Sequence, residues 1–490
     1  MSARISPSDQ IRALLFHARA ATPFAATNGE LCVSVPSNID ARRIFPLRSA
    51  EFRDWLTANY FTEFESAPSP SAFRAALHTL EARARYGDFP AQTIANRVSF
   101  EGDPFTPSKI VLDLANASGE SVEMSHLGWR LTTNLQHCFR EFTSTLPLPK
   151  PVEAEPGSNP LAQLADLFHL NGTNRVRVFT WLAAALRPVG PYPILVLTGP
   201  AASGKTVLAR ALRALVDPST VPLRRLPARD RDLLRMAFQN WILAFDHVQR
   251  IPLRISQALS ALSSGDALEI PRTDLQDPLV FQLARPIILI VPKDDTQPAW
   301  VAPHTLSSHT LQVECMRIPA LRSEGAVWSA FEALQPAMVG AVCNAVATAL
   351  RRVRDINIPN VRRFPDCAVW AAAAAPAFDL DEHSVAETFR DPASTWNGYD
   401  PVRAAIHVIL DRDLVWTGEA RLFLSELRTA LPFASLPTTP KGLSQLLLRF
   451  PEVRVHRSRG PQGQRILSIT KVGSVSETAV QDASVLFQED

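Results

Sequence analysis

The chain has 490 residues, of which 46% are apolar and 20% are charged, and its formal net charge is +2 at pH 7. This length corresponds to two to four domains of about 100–200 residues each. The balance of charge and hydrophobicity excludes a wholly disordered chain and a histone-like polycation. The five cysteines are scattered without zinc spacing, and no run of 18 apolar residues occurs. We therefore expect a cytoplasmic protein that has no membrane span and no secretory leader.

Residues 1–145 have the pattern of an N-terminal α+β domain. Helical spacing occurs at 9–19, 49–60 and 71–85, and strand patterns occur at 30–35, 93–100, 109–114, 122–124 and 128–131. No catalytic constellation is visible here, because the carboxylates and histidines are dispersed. The pattern leaves the role of this domain unknown, with a structural or docking function as the plainest interpretation.

The remaining chain divides by changes in composition. Alternating prolines at 146–160 predict an extended linker. The further divisions that we expect are a P-loop ATPase core at 161–318, a helical lid at 319–398, a winged-helix-like domain at 399–472 and a disordered tail at 473–490. The predicted fold class is therefore α/β, with an AAA+-like core between an N-terminal domain and a C-terminal winged helix.

The most specific motif follows the apolar run 194–198, which is typical of a buried parallel strand. The segment matches GxxxxGK[ST] in full, and a helical pattern at 207–216 comes next, which is the context that the motif requires. Its residues are Gly199, Pro200, Ala201, Ala202, Ser203, Gly204, Lys205 and Thr206. Loop N–H groups are suited to phosphate oxygens, the Lys205 ammonium to the β- and γ-phosphates, and the Thr206 hydroxyl to Mg²⁺. We expect ATP and Mg²⁺ as ligands.

A P-loop is expected to be followed, some forty residues later, by a second strand that ends in an acidic residue. The apolar run 241–245 ends in Asp246, which predicts a Mg²⁺-holding acid that acts at the catalytic centre with Lys205. His247 follows, where many P-loop ATPases have a glutamate that activates water. Three interpretations of His247 stay open: a poor base, a sensor, or a polar strand end.

Two further regions suggest contact with nucleic acid. Residues 267–283 have the pattern of a hairpin with Arg272 at its tip, either a DNA-tracking hairpin or a plain surface turn. Residues 441–472 contain seven Lys and Arg against one Glu, a local charge of +6, on a predicted helix and wing. The DNA-contacting cations predicted there are Lys441, Arg454, Arg457, Arg459 and Arg465. A solvated basic face or a protein-docking module is the alternative.

Together these residues resemble a family of phage and integrative-element ATPases of the primase–helicase-like, AAA+/superfamily-three type. The resemblance extends over about residues 28–470. It is carried by Trp129, by Tyr192-Pro193-Ile194-Leu195, by Leu215-Val216-Asp217-Pro218, by 284–289 and by Trp416-Thr417-Gly418. It implies an ATPase that acts on DNA during replication of a mobile element, with a ring-shaped homo-oligomer as a further expectation.

The chain departs from that family at several positions. The family has Asp-Asn where this chain has Asp246-His247, a Gly-rich run where it has Gly265-Asp266-Ala267, and Asn-Gly where it has Ile290-Val291. The family also has Asp-Arg near Ser308-His309, and that arginine is a candidate finger acting across subunits; Arg317 is a possible substitute. Two functions follow: a DNA-acting motor, or a degenerate ATPase that serves as a nucleotide-gated DNA-binding or assembly protein.

Overall fold

The structure is a computed structural model, and it describes residues 5–36, 42–133, 137–140, 142–270, 279–293, 303–318, 322–359, 361, 363–390, 405–406, 409–410, 415–430, 439, 442–443, 447, 450, 453–459 and 465–471. The chain forms two compact units. The first contains Met1–Val248, Pro252–Pro292 and Ser308–Asp391, and the second contains Gln249–Ile251, Lys293–Ser307 and Pro392–Asp490. Helices and strands occur in both, so the expected mixed α/β class is confirmed; the finer domain boundaries stay predictions.

The first unit begins with a three-stranded sheet covered by three helices. The elements are α1 (Pro7–His17), β1 (Thr22–Ala25), β2 (Leu31–Pro36), β3 (Arg42–Pro46), α2 (Ala50–Phe64) and α3 (Pro70–Tyr86). The strands are antiparallel in the order β1-β2-β3. Each helix starts after a serine whose hydroxyl accepts a backbone N–H: Ser6 from Asp9, Ser49 from Phe52 and Ser69 from Ala72. The three predicted helices are thus confirmed to within a few residues, whereas β1 and β3 were not predicted.

Six strands follow, and the middle four form an antiparallel meander. The strands are β4 (Ile94–Ala95), β5 (Val98–Gly102), β6 (Pro107–Asp113), β7 (Ser121–Ser125), β8 (Gly128–Thr132) and β9 (Cys138–Phe139). β5 to β8 form one sheet in chain order, and β4 pairs with β9 in parallel. Ile110, Leu112, Val122 and Met124 belong to the main hydrophobic core of this unit, so the meander packs into the same core as the elements that follow it.

The Pro-rich segment after the meander has neither helix nor strand at 146–155 and packs against other elements. The N–H of Leu146 donates to the Pro218 carbonyl at 3.1 Å, that of Leu148 to Leu114 at 2.9 Å, and that of Val152 to Pro336 at 3.1 Å. These backbone bonds tie 146–152 to the rest of the unit, which the proline pattern alone did not indicate. Residues 146–152, which we call the strap, therefore bind together the meander, the core and a later helix.

The core of the first unit is a four-stranded parallel sheet. Its elements are α4 (Pro160–Leu167), α5 (Gly172–Ala185), β10 (Ile194–Gly199), α6 (Lys205–Ala214), α7 (Asp230–Gln239), β11 (Leu243–Phe245), α8 (Leu253–Ser264), β12 (Ala267–Ile270), β13 (Leu279–Gln282), β14 (Ile287–Pro292) and β15 (Thr310–Glu314). The strand order is β11-β14-β10-β15. Every described residue of β10 is buried, as its continuous apolar run predicted. β12 and β13 pair as the expected hairpin, and its tip lies outside the described residues.

Helices α10 (Glu324–Arg352), α11 (Pro365–Ala374) and α12 (Glu382–Arg390) complete the first unit. α10 contains Pro336 in its interior, and the proline carbonyl accepts the bond from Val152. α10 is long and apolar enough to cross a membrane, but 56% of its most apolar window is buried within the protein. Its apolar side is therefore core.

The second unit contains α9 (His304–Ser307), β16 (Val415–Glu419), α13 (Ala420–Ala430), β17 (Val453–Arg459) and β18 (Arg465–Lys471). The strands are antiparallel in the order β16-β18-β17. Residues 415–419 are strand, because Thr417 and its neighbours pair with β18 along the whole of β16. Thr439 caps a helical turn, since its hydroxyl accepts the N–H of Gly442 at 3.2 Å.

Gly340 tests how closely the strap packs on α10. A Cβ at this position would lie 2.0 Å from the Val152 carbonyl oxygen, whereas a Cβ at Gly325 in the same helix meets nothing within 4 Å. We expect Gly340→Ala to lower the free energy of unfolding by about 1–3 kcal/mol through overpacking. Gly325→Ala should be neutral or stabilising, because alanine favours a helix. Thermal unfolding of both variants measures this; equal stabilities would contradict the packed strap.

Candidate nucleotide-binding site

The loop between β10 and α6, residues 199–206, brings its backbone to the start of α6, and we call this arrangement the cradle. Gly199 has φ 153°, and a Cβ there would lie 2.3 Å from the Cys315 carbonyl oxygen and 2.9 Å from Ser203 Oγ. α6 begins at Lys205 after Gly204, whose φ is 73°, and no side chain caps this helix. The first N–H groups of α6 are therefore suited to an anion, because helix N-termini carry unsatisfied donors and a partial positive charge.

Two polar side chains of the loop suit a phosphate ligand. Lys205 Nζ donates to the carbonyl of Pro200 at 2.7 Å, so the ammonium group is folded over the loop. Burial lowers the pKa of Lys205 below its usual value, and the negative charge of Asp246 opposes that shift. Ser203 Oγ is buried and makes no hydrogen bond within the described part of the chain. A bound phosphate would supply partners for both groups.

Asp246 lies at the same edge of the sheet, two strands away from the loop. In the register, Phe245 is level with Leu289, and Leu289 is level with Val196. β14 therefore separates the two candidate strands, and Asp246 lies about 10 Å from β10, since neighbouring strands are about 4.8 Å apart. Parallel strands bring their carboxyl ends to one edge, which explains why residues 40 positions apart in sequence face one site.

The protein groups present fit a magnesium ion held partly by nucleotide. Among the described residues, no group of three or more His, Cys, Asp or Glu is placed to hold a metal. Mg²⁺ at phosphate sites characteristically takes few protein ligands and fills the others with phosphate oxygens and water. One hydroxyl from Thr206 and one carboxylate from Asp246 satisfy that requirement.

His247 adopts an unfavourable backbone conformation beside Asp246. Its φ is 57°, which is uncommon for any residue other than glycine, asparagine or aspartate. Its N–H donates to Asp246 Oδ1 at 2.7 Å, its Nδ1 is 3.3 Å from the same oxygen, and its side chain is 74% exposed. The turn holds one Asp246 oxygen in place and directs the imidazole outward. Asparagine, which the related family has here, tolerates this φ better than histidine.

Ile290 occupies the strand between the loop and Asp246. It is fully buried, pairs in register with Leu197 and accepts the N–H of Val248 through its carbonyl at 2.9 Å. Its side chain cannot hydrogen-bond. The position where the related family has a polar side chain is thus part of the apolar core, as the sequence indicated.

His309 and Arg317 lie at opposite ends of β15. His309 precedes the strand, and its Nε2 is 3.2 Å from the hydroxyl of Ser260. Burial and the nearby Arg363 lower the pKa of His309, so it is a neutral packing residue at the edge away from the loop. Arg317 follows the strand and is exposed beside Ile318, whose N–H points to the Ala202 carbonyl at 3.4 Å. Arg317 is therefore adjacent to the loop of its own chain.

Sequence reasoning missed the residue that connects these parts. Asp217 follows α6, and its Oδ2 accepts the N–H groups of Trp241 and Ile242 at 3.0 Å each, at the start of the strand that leads to Asp246. Its Oδ1 is 3.3 Å from Arg97 Nε, and Oδ2 is 3.6 Å from Arg213 Nη2. The only sequence signal was its place in the Leu-Val-Asp-Pro segment.

The predicted DNA-contacting residues are only partly described. Arg272 and Lys441 lie outside the described residues, and Arg457 and Arg465 lie on β17 and β18 with side chains that are not described. Arg454 and Arg459 are exposed on β17. They are five residues apart, so they fall on opposite faces of the strand. The basic residues of this sheet therefore do not form a single flat stripe.

Comparisons with known proteins agree with the resemblance drawn from the sequence. Residues 161–390 match the model of the actinomycete integrative conjugative element replication protein family. The expected similarity to replication proteins of mobile elements is thereby confirmed over this range. No curated protein matches the sequence significantly.

Several solved structures are similar over much of the chain. The Cch helicase of SCCmec type IV is 12% identical, covers 92% of each chain and gives a TM-score of 0.48. The apo C-terminal region of NrS-1 is 11% identical, covers 96% of this chain and all of its own, and scores 0.39. The JCV helicase is 16% identical, covers 40% of this chain and 55% of its own, and scores 0.26.

The backbone of His247 provides a test of the turn at Asp246. We expect His247→Asn to keep or raise the free energy of unfolding, by up to about 1 kcal/mol, because asparagine tolerates positive φ. His247→Val should lower it by about 1–2 kcal/mol, because a β-branched residue is strained there. Thermal unfolding distinguishes the pair. Equal free energies of unfolding in the valine and asparagine variants would contradict the positive φ at position 247.

Proposed function

We propose that this protein is an ATP-binding, DNA-acting, helicase-like ATPase that takes part in replication of a mobile genetic element in the cytoplasm. Lys205 and the loop 199–206 would bind the phosphates, and Thr206 and Asp246 would hold Mg²⁺. The C-terminal basic sheet would contact DNA. The family match over residues 161–390 supports the link with element replication.

The observation that carries this proposal is the cradle at the end of β10. Gly199 admits no side chain, Ser203 Oγ is buried without a partner, and an uncapped helix starts at Lys205. The buried hydroxyl and the uncapped helix are costly or unexplained without an anion and favourable with one, whereas the glycine at 199 is required by the Cys315 carbonyl and Ser203 Oγ that it packs against. Bound ATP·Mg²⁺ supplies a phosphoanhydride for hydrolysis. The protein's contribution is to orient the phosphates and to offset their charge through Lys205 and the loop amides.

A second function is favoured by particular residues. Ile290 is buried where a polar contact to the terminal phosphate would be expected, His309 is packed and its pKa is lowered by burial, and His247 stands where many P-loop ATPases have an activating glutamate. These features support a protein that binds nucleotide and hydrolyses it slowly. It would then act as a nucleotide-gated DNA-binding or assembly protein. Either function is compatible with a homo-oligomeric ring.

Nucleotide binding and turnover separate the two functions. We expect Lys205→Ala to weaken ATP binding at least about tenfold, because it removes a charge-assisted phosphate contact. Lys150→Ala is the matched control, since Lys150 pairs only with Glu120 at the surface, among the described residues. The measurements are equilibrium ATP binding and steady-state hydrolysis, with and without single-stranded DNA.

Turnover that rises with DNA and disappears in Lys205→Ala would exclude the scaffold function. Tight binding without turnover would exclude the motor. Unchanged ATP binding in Lys205→Ala would contradict the proposed site itself.

The C-terminal sheet is tested by salt dependence. We expect the double variant Arg457→Ala, Arg459→Ala to bind duplex DNA more weakly and to reduce the slope of log affinity against log salt by about 2, at about 0.9 per phosphate contact. Arg421→Ala with Arg428→Ala, on α13 of the same unit, removes equal charge as a control. An unchanged slope in the first variant would mean that the sheet docks protein instead.

A further inference from the structure

A groove in the N-terminal part of the first unit is lined by arginines. It has a volume of about 590 Å³ and lies between α1, the end of α2 and α3. The side chains that matter for its chemistry are Arg12, Phe16, Arg19, Glu63 and Arg83. All of these residues are described, and the groove lies apart from the loop, from Asp246 and from the C-terminal sheet in sequence.

The charge of the groove is positive. Arg12, Arg19 and Arg83 line it against one carboxylate, Glu63. Glu63 Oε2 lies 3.0 Å from Nε2 of His17, and Arg12 Nη1 lies 3.6 Å from Asp9 Oδ1. Three guanidinium groups around one concave surface favour a ligand with repeated negative charge, because arginine binds phosphate oxygens in a forked geometry.

Exposed aromatic side chains accompany these cations. Phe16 is 59% exposed, and the guanidinium of Arg19 lies 5.4 Å from its ring centre. Tyr86 is 82% exposed and follows Arg83 by three residues on α3, which puts it on a neighbouring part of the same helix surface. Exposed apolar side chains that lie together in a patch commonly mark a binding surface. Cations interleaved with aromatic rings are the usual composition of surfaces that bind single strands.

We propose that this groove binds single-stranded DNA, with Arg12, Arg19 and Arg83 on the phosphates and Phe16 and Tyr86 stacking on bases. The single strand is favoured over the duplex because the bases of a duplex are stacked on each other and leave no face for Phe16. This inference rests on the proposed DNA-acting function and assigns a ligand to the domain whose role the sequence left unknown.

The experiment measures binding of the full chain to a short fluorescent oligothymidine by anisotropy over a range of salt. We expect Arg19→Ala with Arg83→Ala to weaken binding about tenfold and to reduce the salt slope by about 1.4, at about 0.7 per phosphate contact on a single strand. The matched control is Arg53→Ala with Arg74→Ala. These two exposed arginines lie on α2 and α3 outside the groove and remove the same charge.

Substitutions at Phe16 test the proposed stacking independently of the charges. Phe16→Ala should weaken binding about fivefold or more without changing the salt slope, because stacking releases no counterions. Phe16→Tyr should restore binding, since tyrosine also stacks. Thermal unfolding of each variant shows whether the fold is intact.

The proposal would be overturned if the groove and control pairs lost the same affinity for the oligothymidine, or if the groove pair bound it as the wild type does. An acidic protein would then be the better occupant of the groove. If the groove variants bind DNA normally while Lys205 still governs ATP binding, the groove alone is wrong. If wild-type protein binds no ATP but its DNA binding depends on Arg19 and Arg83, the groove stands and the proposed ATPase is wrong.

Discussion

The buried carboxylate of Asp217 is the contact on which the site geometry depends. It joins the end of the helix that starts at Lys205 to the backbone of Trp241 and Ile242, and it also faces Arg97 and Arg213. Arg97 is fully buried and also donates to the carbonyls of Asp113 and Leu146. Removing one partner of such a buried ionic group is strongly destabilising, by about 3–5 kcal/mol in comparable cases, because it leaves uncompensated charge.

The same contact explains why the two halves of the candidate site hold a fixed relation. The loop and Asp246 are on strands that do not touch, since β14 lies between them. Their alignment is set along the strands by the register through Leu289, and just before β11 by the bonds from Trp241 and Ile242 to Asp217. Arg285 adds a second connection, because its Nε donates to the carbonyls of Ala237 and Asn240 just before β11. The meander enters this network through Arg97.

Much of the core was predictable, because its signals are local. The loop 199–206 is contiguous in sequence, and β10 and β14 are apolar runs whose burial follows from composition. The serine caps of α1 to α3 are likewise read from neighbouring residues. The role of Asp217, the exposure of His247 at positive φ and the strand at 415–419 were not predictable in this way. Each depends on partners distant in sequence: Arg97, the carbonyl of Arg224 that receives Asp246, and β18.

The strap has a consequence for how the boundaries of this protein are understood. The region that matches the replication family, residues 161–390, begins after the strap, yet Val152 lies directly against Gly340 inside that region and Leu148 is buried beside the meander. A fragment cut at the family boundary would expose the apolar side of α10 to water. The limits of the family match are thus not the limits of a packed unit, because the strap and the meander share one hydrophobic core with residues inside that match.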